Sequence, residues 1–568
     1  FLGDLLNSML LLPLLIMSTN IHGFISDGKE LAGSIYGKRK VYATITAAIL
    51  LLASTFLALD SLSLQLPSVN MKAFAQSSEL TIIGTIIGST SGSNAPNTDI
   101  FNLTAGYTIK PIVWNLTAPD AVTFDNKGNM YVGEAGYPFT YFTNPLTNVP
   151  QLPRILKVDP SGNVSVFVDT GLNSPIVDIT FHDGLLYISH RDKISTVDIT
   201  NANATVKDII VGLPNNGDHL NNQIAFSPDG KRLFFGTGVS TNSGVVGMDN
   251  YVAGWVSNIP SVADVPGKNI TLIGQNFETP NPLTAEPNDN ATTGAFVPFN
   301  TTTKEGQVIK GDVKCNGCIL SANLDGTDLK LVGWGFRNPD GLAFNEEGRL
   351  FTAANGADER GSRPIVDDAD KFYEVKLNST SFYGWPDFFG NAQPVTDPLF
   401  RWETGGPCIV PKTCLDKPLG FLMQNHPPVE KPLALFEPPH TAVMQMAFAN
   451  NSFGFGGEAF VAQVGAHAVR GVGQNLVRVN IDNETTISDF LNLKKPFEAN
   501  STTFRPTDIA FSQNGTALYV ADWGNLLEPG PGGTIPNTGV IWKITPVAGN
   551  QISGAATSTT NTKGATIP

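Results

Sequence analysis

Pro339-Asp340-Gly341-Leu342-Ala343-Phe344-Asn345-Glu346-Glu347-Gly348-Arg349-Leu350-Phe351-Thr352-Ala353-Ala354-Asn355-Gly356 is the stretch that decides the fold. An apolar pair ending in Phe leads into a short polar turn that contains Gly, and an alternating apolar strand follows. Period-two alternation on both sides of a turn dipeptide marks two antiparallel strands joined by a tight hairpin, with Gly supplying the positive φ. The phrase recurs. It reads PDAVTFDNKGNMYVGEAG from Pro119, IVDITFHDGLLYISH from Ile176 and NNQIAFSPDGKRLFFGTG from Asn221. It returns as VMQMAFANNSFGFGGEAFVAQVG from Val443 and PTDIAFSQNGTALYVADWG from Pro506. The six copies hang on Phe124, Phe181, Phe226, Phe344, Phe448 and Phe511.

One hairpin cannot bury its own faces, but four-stranded blades repeated around an axis bury them against each other. Six copies therefore predict an all-β fold, a six-bladed β-propeller over residues 106–547, each Phe lying in its own blade. Successive anchors stand 57, 45, 118, 104 and 63 residues apart, so insertions are expected near 240–310 and 360–440. Two β-sandwiches would supply the strands but not a sixfold recurrence.

Composition agrees with this reading. Only 15% of the 568 residues are charged, 41% are hydrophobic, and Gly and Pro number 56 and 39. That is too apolar for a disordered chain and too rich in turn-formers for a helical bundle. A net charge of −14 repels phosphate backbones, so nucleic acid is not an expected partner. After about residue 65 nothing approaches the ~20 apolar residues of a membrane span.

Residues 1–76 form the expected N-terminal signal or anchor region. Lys38-Arg39-Lys40 precede an uncharged run from Val41 to Leu59, ended by Asp60. A basic flank before an apolar run suits a signal peptide or an anchor helix. Ala73-Phe74-Ala75-Gln76 offers an A-x-A cleavage pattern after Ala75. Retention as a membrane anchor is the alternative. Met17 is a candidate start, with residues 1–16 then preceding the translated chain. Either way an extracellular or cell-surface, secreted or anchored protein is expected. A polar linker over 77–105 and a Ser/Thr-rich tail over 548–568 flank the propeller. Twelve N-x-S/T sequons are compatible with glycosylation. Outside the cell, the close pairs Cys315/Cys318 and Cys408/Cys414 read as disulfides, with cross-pairing as the competing connectivity.

The loops beside the repeats carry the chemistry. Trp334-Gly335-Phe336-Arg337-Asn338-Pro339 runs into the fourth repeat, Ala354-Asn355-Gly356-Ala357-Asp358-Glu359-Arg360 follows it, and Tyr383-Gly384-Trp385-Pro386 comes later. These segments, in this order, resemble the glucose/sorbosone dehydrogenase family, six-bladed propellers that use pyrroloquinoline quinone (PQQ) with calcium. Gly217-Asp218-His219 before the third repeat resembles the family segment with the catalytic His. Pro438-Pro439-His440 and the segments 505–511 and 539–544 look like later blades of the same family. The resemblance spans about residues 110–547. The strand after His219 runs Gly236-Thr237-Gly238-Val239-Ser240 and lacks the carboxylate that soluble members place there. In the strand where the family has a Lys, this chain has His467 and Arg470.

The resemblance implies an oxidoreductase acting on a sugar or related alcohol, with an external electron acceptor. His219 would be the general base, since a neutral imidazole titrates near the working pH. Arg337 and Asn338, with His467 and Arg470, would hold PQQ, a guanidinium fork suiting carboxylate and quinone oxygens. Gly356, Ala357, Asp358 and Glu359 would offer oxygen to calcium, a hard cation. Two other readings stand beside this one. The first is a non-catalytic cell-surface propeller that binds carbohydrate, protein or metal. The second is a hydrolytic calcium propeller of the lactonase kind.

Overall fold

Gly-containing turns close the hairpins as the repeats predict. In repeats one, three, four and six the amides of Gly128, Gly230, Gly348 and Gly515 donate to the carbonyl three residues earlier, at 3.1, 2.8, 3.0 and 2.7 Å. Their φ values, 81°, 67°, 76° and 65°, lie where only glycine sits without strain. Repeat two turns more tightly, through Asp183 and Gly184, both at positive φ.

The computed structural model describes residues 95–136, 152–201, 204–284, 286, 289–401, 419–465, 471–482, 484–495, 504–526 and 534–547. All of them fall within one compact unit. The signal or anchor region, the 548–568 tail, and Cys408 and Cys414 lie outside the described residues.

Six sheets follow one another, each with four antiparallel blade strands. Blade one is Pro119–Phe124, Met130–Glu134, Arg154–Val158 and Val164–Val168; blade two is Ile176–His182, Leu185–His190, Lys193–Asp198 and Lys207–Val211. Blade three is Asn221–Phe226, Arg232–Thr237, Cys318–Asn323 and Lys330–Trp334; blade four is Asn338–Phe344, Leu350–Asn355, Asp370–Val375 and Ala434–Phe436. Blade five is Val443–Phe448, Ala459–Gln463, Asn475–Asn480 and Thr486–Leu493. Blade six takes Pro506–Phe511, Leu518–Asp522 and Gly539–Pro546 from the C-terminal end and its outer strand, Tyr107–Leu116, from the N-terminal end. The first strands neighbour one another from blade one round to blade six and back to one, so the ring closes.

The core lies between blades. Between blades one and two, Ala121, Tyr131 and Ile155 meet Ile176, Ile179 and Leu186; Val461 and Val479 of blade five meet Phe351 and Phe372 of blade four. The six Phe anchors occupy separate blades, but each is only half-buried at the end of its inner strand. There five of them pack on an aromatic of the preceding blade: Phe124 on Tyr519, Phe226 on Tyr187, Phe344 on Phe234, Phe448 on Phe351 and Phe511 on Phe460. The anchors are blade-to-blade contacts rather than blade interiors.

A further difference from the sequence reading concerns an edge. Phe101–Leu103, expected as linker, pairs with Thr486–Leu493 as a fifth strand of blade five, with Phe101 buried and Asn102 exposed. The first long insertion runs between the second and third strands of blade three and carries two short helices, Met248–Val252 and Trp255–Asn258. It returns to the sheet at Cys315, which is bridged to Cys318.

Candidate active site at one mouth of the channel

Strands alternate in direction, so the segments leading into inner strands and the loops after second strands gather at one mouth. His219 lies two residues before the inner strand of blade three. Its amide and its Nδ1 both bond to the Val239 carbonyl, each at 3.1 Å. A carbonyl can only accept, so Nδ1 carries the proton and Nε2 keeps its lone pair. Among the described residues Nε2 has no hydrogen-bond partner. Burial and then the Arg337 and Arg360 charges hold the ring well below the usual histidine pKa, against the pull of Asp358. His219 is therefore a neutral base, half-buried at the mouth.

Asn338 stands against it across Gly238. A methyl group on Gly238 would lie 2.2 Å from His219 Cβ and 2.4 Å from Asn338 Oδ1. Asn338 Nδ2 donates to Asp340 Oδ2 at 3.0 Å and Asn355 Oδ1 at 2.7 Å, and Oδ1 accepts from Asn222 at 2.8 Å. Arg337 is buried; its Nη2 meets Asp358 Oδ2 at 2.7 Å, and its Nε is buried without a partner.

A second arginine organises the mouth. Arg360 reaches Asp218 at 2.6 Å, Asp249 at 2.7 Å and Asp358 at 3.0 Å through three different nitrogens. His440, at the entry to blade five, faces Asp358 at 3.6 Å and Glu359 at 3.1 Å. Hydrogen bonds to Asp358 and Glu359 push its pKa up to about 10, so it is a cation at neutral pH. Burial would raise the Asp358 carboxyl, but Arg337, His440 and Arg360 together hold it well below the usual range.

The structure thus brings His219, Arg337, Asn338, Asp358 and Glu359 to one mouth, with Gly356 and Ala357 beside them. The amides of Gly356 and Ala357 donate to Asp370 at 2.7 Å and Asp368 at 2.6 Å. Both oxygens of Asp358 and of Glu359 already face cations. Among the described residues no three His, Cys, Asp or Glu side chains converge as a metal site. His467 and Arg470 lie outside the described residues. Sequence reading passed over Asp218, Asp249, Arg360 and His440 as site residues. Three of these stand inside segments it quoted, but nothing local signals that a charge in the blade-three insertion meets one in the blade-four loop.

Comparisons with known proteins give likenesses of shape. No family model and no curated protein matches the chain. The holo PQQ domain of pyranose dehydrogenase from Coprinopsis cinerea is 17% identical, with a TM-score of 0.49 over 80% of this chain and 99% of that one. A calcium structure of a carbohydrate-active enzyme of family AA12 from Trichoderma reesei is 15% identical, with a TM-score of 0.49 over 81% and 99%. The PQQ-bound aldose sugar dehydrogenase from Streptomyces coelicolor is 16% identical, with a TM-score of 0.42 over 78% and 99%. At this overlap and identity the likenesses say nothing of ligand or reaction here.

The carboxylate that the resemblance led one to miss after His219 has a substitute. The Val239 carbonyl fixes the ring and its tautomer, which is the task an orienting acid would perform. A carbonyl cannot stabilise the imidazolium as a carboxylate would, so His219 is well oriented but a weaker base.

Proposed function

We propose that the chain is an exported oxidoreductase that oxidises a hydroxyl of a sugar or related alcohol, with His219 as general base. The observation that carries this reading is the unpartnered, unprotonated Nε2 of His219 beside Arg337 and Asn338. Nε2 takes the hydroxyl proton while the carbon-bound hydrogen leaves as hydride, and the C–OH becomes a carbonyl. When bound, PQQ supplies the two-electron acceptor, and an external acceptor then takes the electrons. The residues fit such a group in the sense that Arg337 offers a buried, unpartnered Nε and that Arg360 and His440 are cationic. Asn338 braces Arg337's neighbour strand and keeps the base and the arginine side by side. A calcium ion at this loop would rest on the backbone oxygens of Gly356 and Ala357 unless Asp358 or Glu359 gives up its cation. His467 and Arg470 would add cations to the same cofactor. Export by the N-terminal segment, with or without anchoring, completes the reading.

Reconstitution with PQQ and calcium tests it, followed by the ultraviolet-visible spectrum and by aldose oxidation with an artificial acceptor. His219→Ala should lose ~10²–10⁴ in turnover with PQQ still bound, the usual contribution of a positioned base. Arg337→Ala should mainly weaken PQQ retention. One feature favours a second reading. Asp218, Asp249, Asp358 and Glu359 outnumber Arg337, Arg360 and His440 at the mouth, a poor balance for a tricarboxylate. Absence of any PQQ-dependent oxidation by the wild type would hand the site to the non-catalytic binding propeller.

A further inference from the structure

The inner strands carry one polar residue each at a shared place: Asp120, Asp178, Gln223, Asp340, Gln445 and Asp508. It stands three or four residues before the Phe anchor. At this place the register of every inner strand slips against its neighbour. Bulges re-aim side chains, and here they turn them inward. Gln445 of blade five donates to the Val177 carbonyl of blade two, directly across the ring, at 2.6 Å.

Three of the six are satisfied as latches between adjacent blades. Asp178 accepts from the Ile224 amide at 2.8 Å, Gln223 from Leu342 at 2.8 Å and Asp508 from Val122 at 2.6 Å. The other three are not. Asp120 Oδ2, Asp340 Oδ1 and Gln445 Oε1 are buried and have no partner. Their remaining polar atoms are committed: Asp120 Oδ1 to Trp523 Nε1 at 2.7 Å, Asp340 Oδ2 to Asn338 Nδ2 at 3.0 Å, and Gln445 Nε2 to Val177. The three orphans are all oxygens, and the amide oxygen cannot be satisfied by taking up a proton. No Arg, Lys or His among the described residues forms an ion pair with any of the four ring carboxylates. Asp120 and Asp340 stand on the inner strands of opposite blades, one and four. Three buried, unpartnered oxygens on the inner strands of blades one, four and five, two of them from carboxyl groups, suit a hard cation and an oxygen-only shell.

We propose that the channel axis holds one hard divalent cation bridging Asp120 and Asp340, with Gln445 as a neutral oxygen ligand. The ion ties blades one, four and five together beneath the mouth. Through Asp340 and its bond to Asn338 it lies one residue contact below the candidate active site. It also offsets part of the negative charge there. This goes beyond the oxidoreductase reading and does not depend on it.

The test uses the full chain stripped with chelator and then titrated with terbium(III), with tryptophan excitation and calcium as competitor. Trp523, bonded to Asp120, is the expected donor. Sensitised emission that calcium displaces is expected. Affinity should fall at least about tenfold, the low end for damage to a metal's shell, in Asp120→Asn and in Asp340→Asn. Each substitution keeps the oxygen that accepts the existing bond and turns an amino group toward the axis. Calcium should raise the thermal midpoint of the wild type and leave those of the two variants unmoved, while both stay folded in chelator because a buried charge is gone. Failure of wild type to bind either ion overturns the proposal. So does unchanged binding in both variants, or loss of binding only in Asp358→Asn and Glu359→Gln, which would put the ion at the mouth.

Discussion

Gly238 has no room for a side chain, and that bears on the proposed base, His219, as much as on the backbone. Gly238→Ala would press a methyl into His219 Cβ and Asn338 Oδ1, so one of the two must move. Overpacking of this kind typically costs about 1–3 kcal/mol. The variant should unfold at lower denaturant and lose turnover, whereas Gly184→Ala, in an open hairpin with nothing within 4 Å, should pay only for its positive φ. His440 makes a second prediction at this scale. Its folded pKa of about 10 exceeds the ~6.5 of an unfolded histidine. The stability that its charge contributes is therefore fully present below about pH 6.5 and is lost as pH rises through 10. Denaturant midpoints compared at pH 6 and pH 10 should fall for the wild type and much less for His440→Gln. His219 moves the opposite way. With its pKa depressed, the acidic limb of turnover should lie well below 6.5, which a pH–rate profile would read directly.

At the scale of elements, the loop that follows the second strand of blade four is pinned by one amide from the blade-three insertion. Asn242 accepts from the Asp358 amide at 2.8 Å and donates to the carbonyls of Asp358 at 2.7 Å and Arg360 at 3.0 Å. Asn242→Ala should cost about 1–3 kcal/mol for polar groups left unpaired and expose the 358–363 loop to proteolysis, measurable by denaturation and limited digestion. The repeats made the hairpins legible because alternation and Gly turns are local properties. The same alternation could not say that Phe124 or Phe448 packs onto the preceding blade, since that depends on where the neighbour lies. Arg337 and Asn338 were legible through a short motif. Arg360 was not, because its partners Asp218 and Asp249 stand more than a hundred residues away in sequence. The inward ring was legible in principle, as an Asp or Gln before each Phe. What the sequence could not show is which three of the six oxygens find an amide in the next blade.

The whole molecule is held shut by a strand from one end laid on three from the other. Tyr107–Leu116 pairs with Gly539–Pro546 from Tyr107↔Pro546 to Leu116↔Gly539, and Phe101–Leu103 adds a second clasp on blade five. Removing residues 95–116 should bare the edge of Gly539–Pro546 and leave Trp114 and Val113 missing from the inter-blade core. Scanning calorimetry should then show a broader, lower transition, and light scattering should show association through the open edge. The clasp also sets an order of events. A ribosome delivers Tyr107 early and its partner strand some four hundred residues later, so for most of synthesis the first strand waits unpaired. Long-range pairing of this kind is slow and exposes apolar edges meanwhile. A nascent chain held by a chaperone until its last blade emerges would reach the closed ring, and a stalled one would offer its waiting strand to its neighbours.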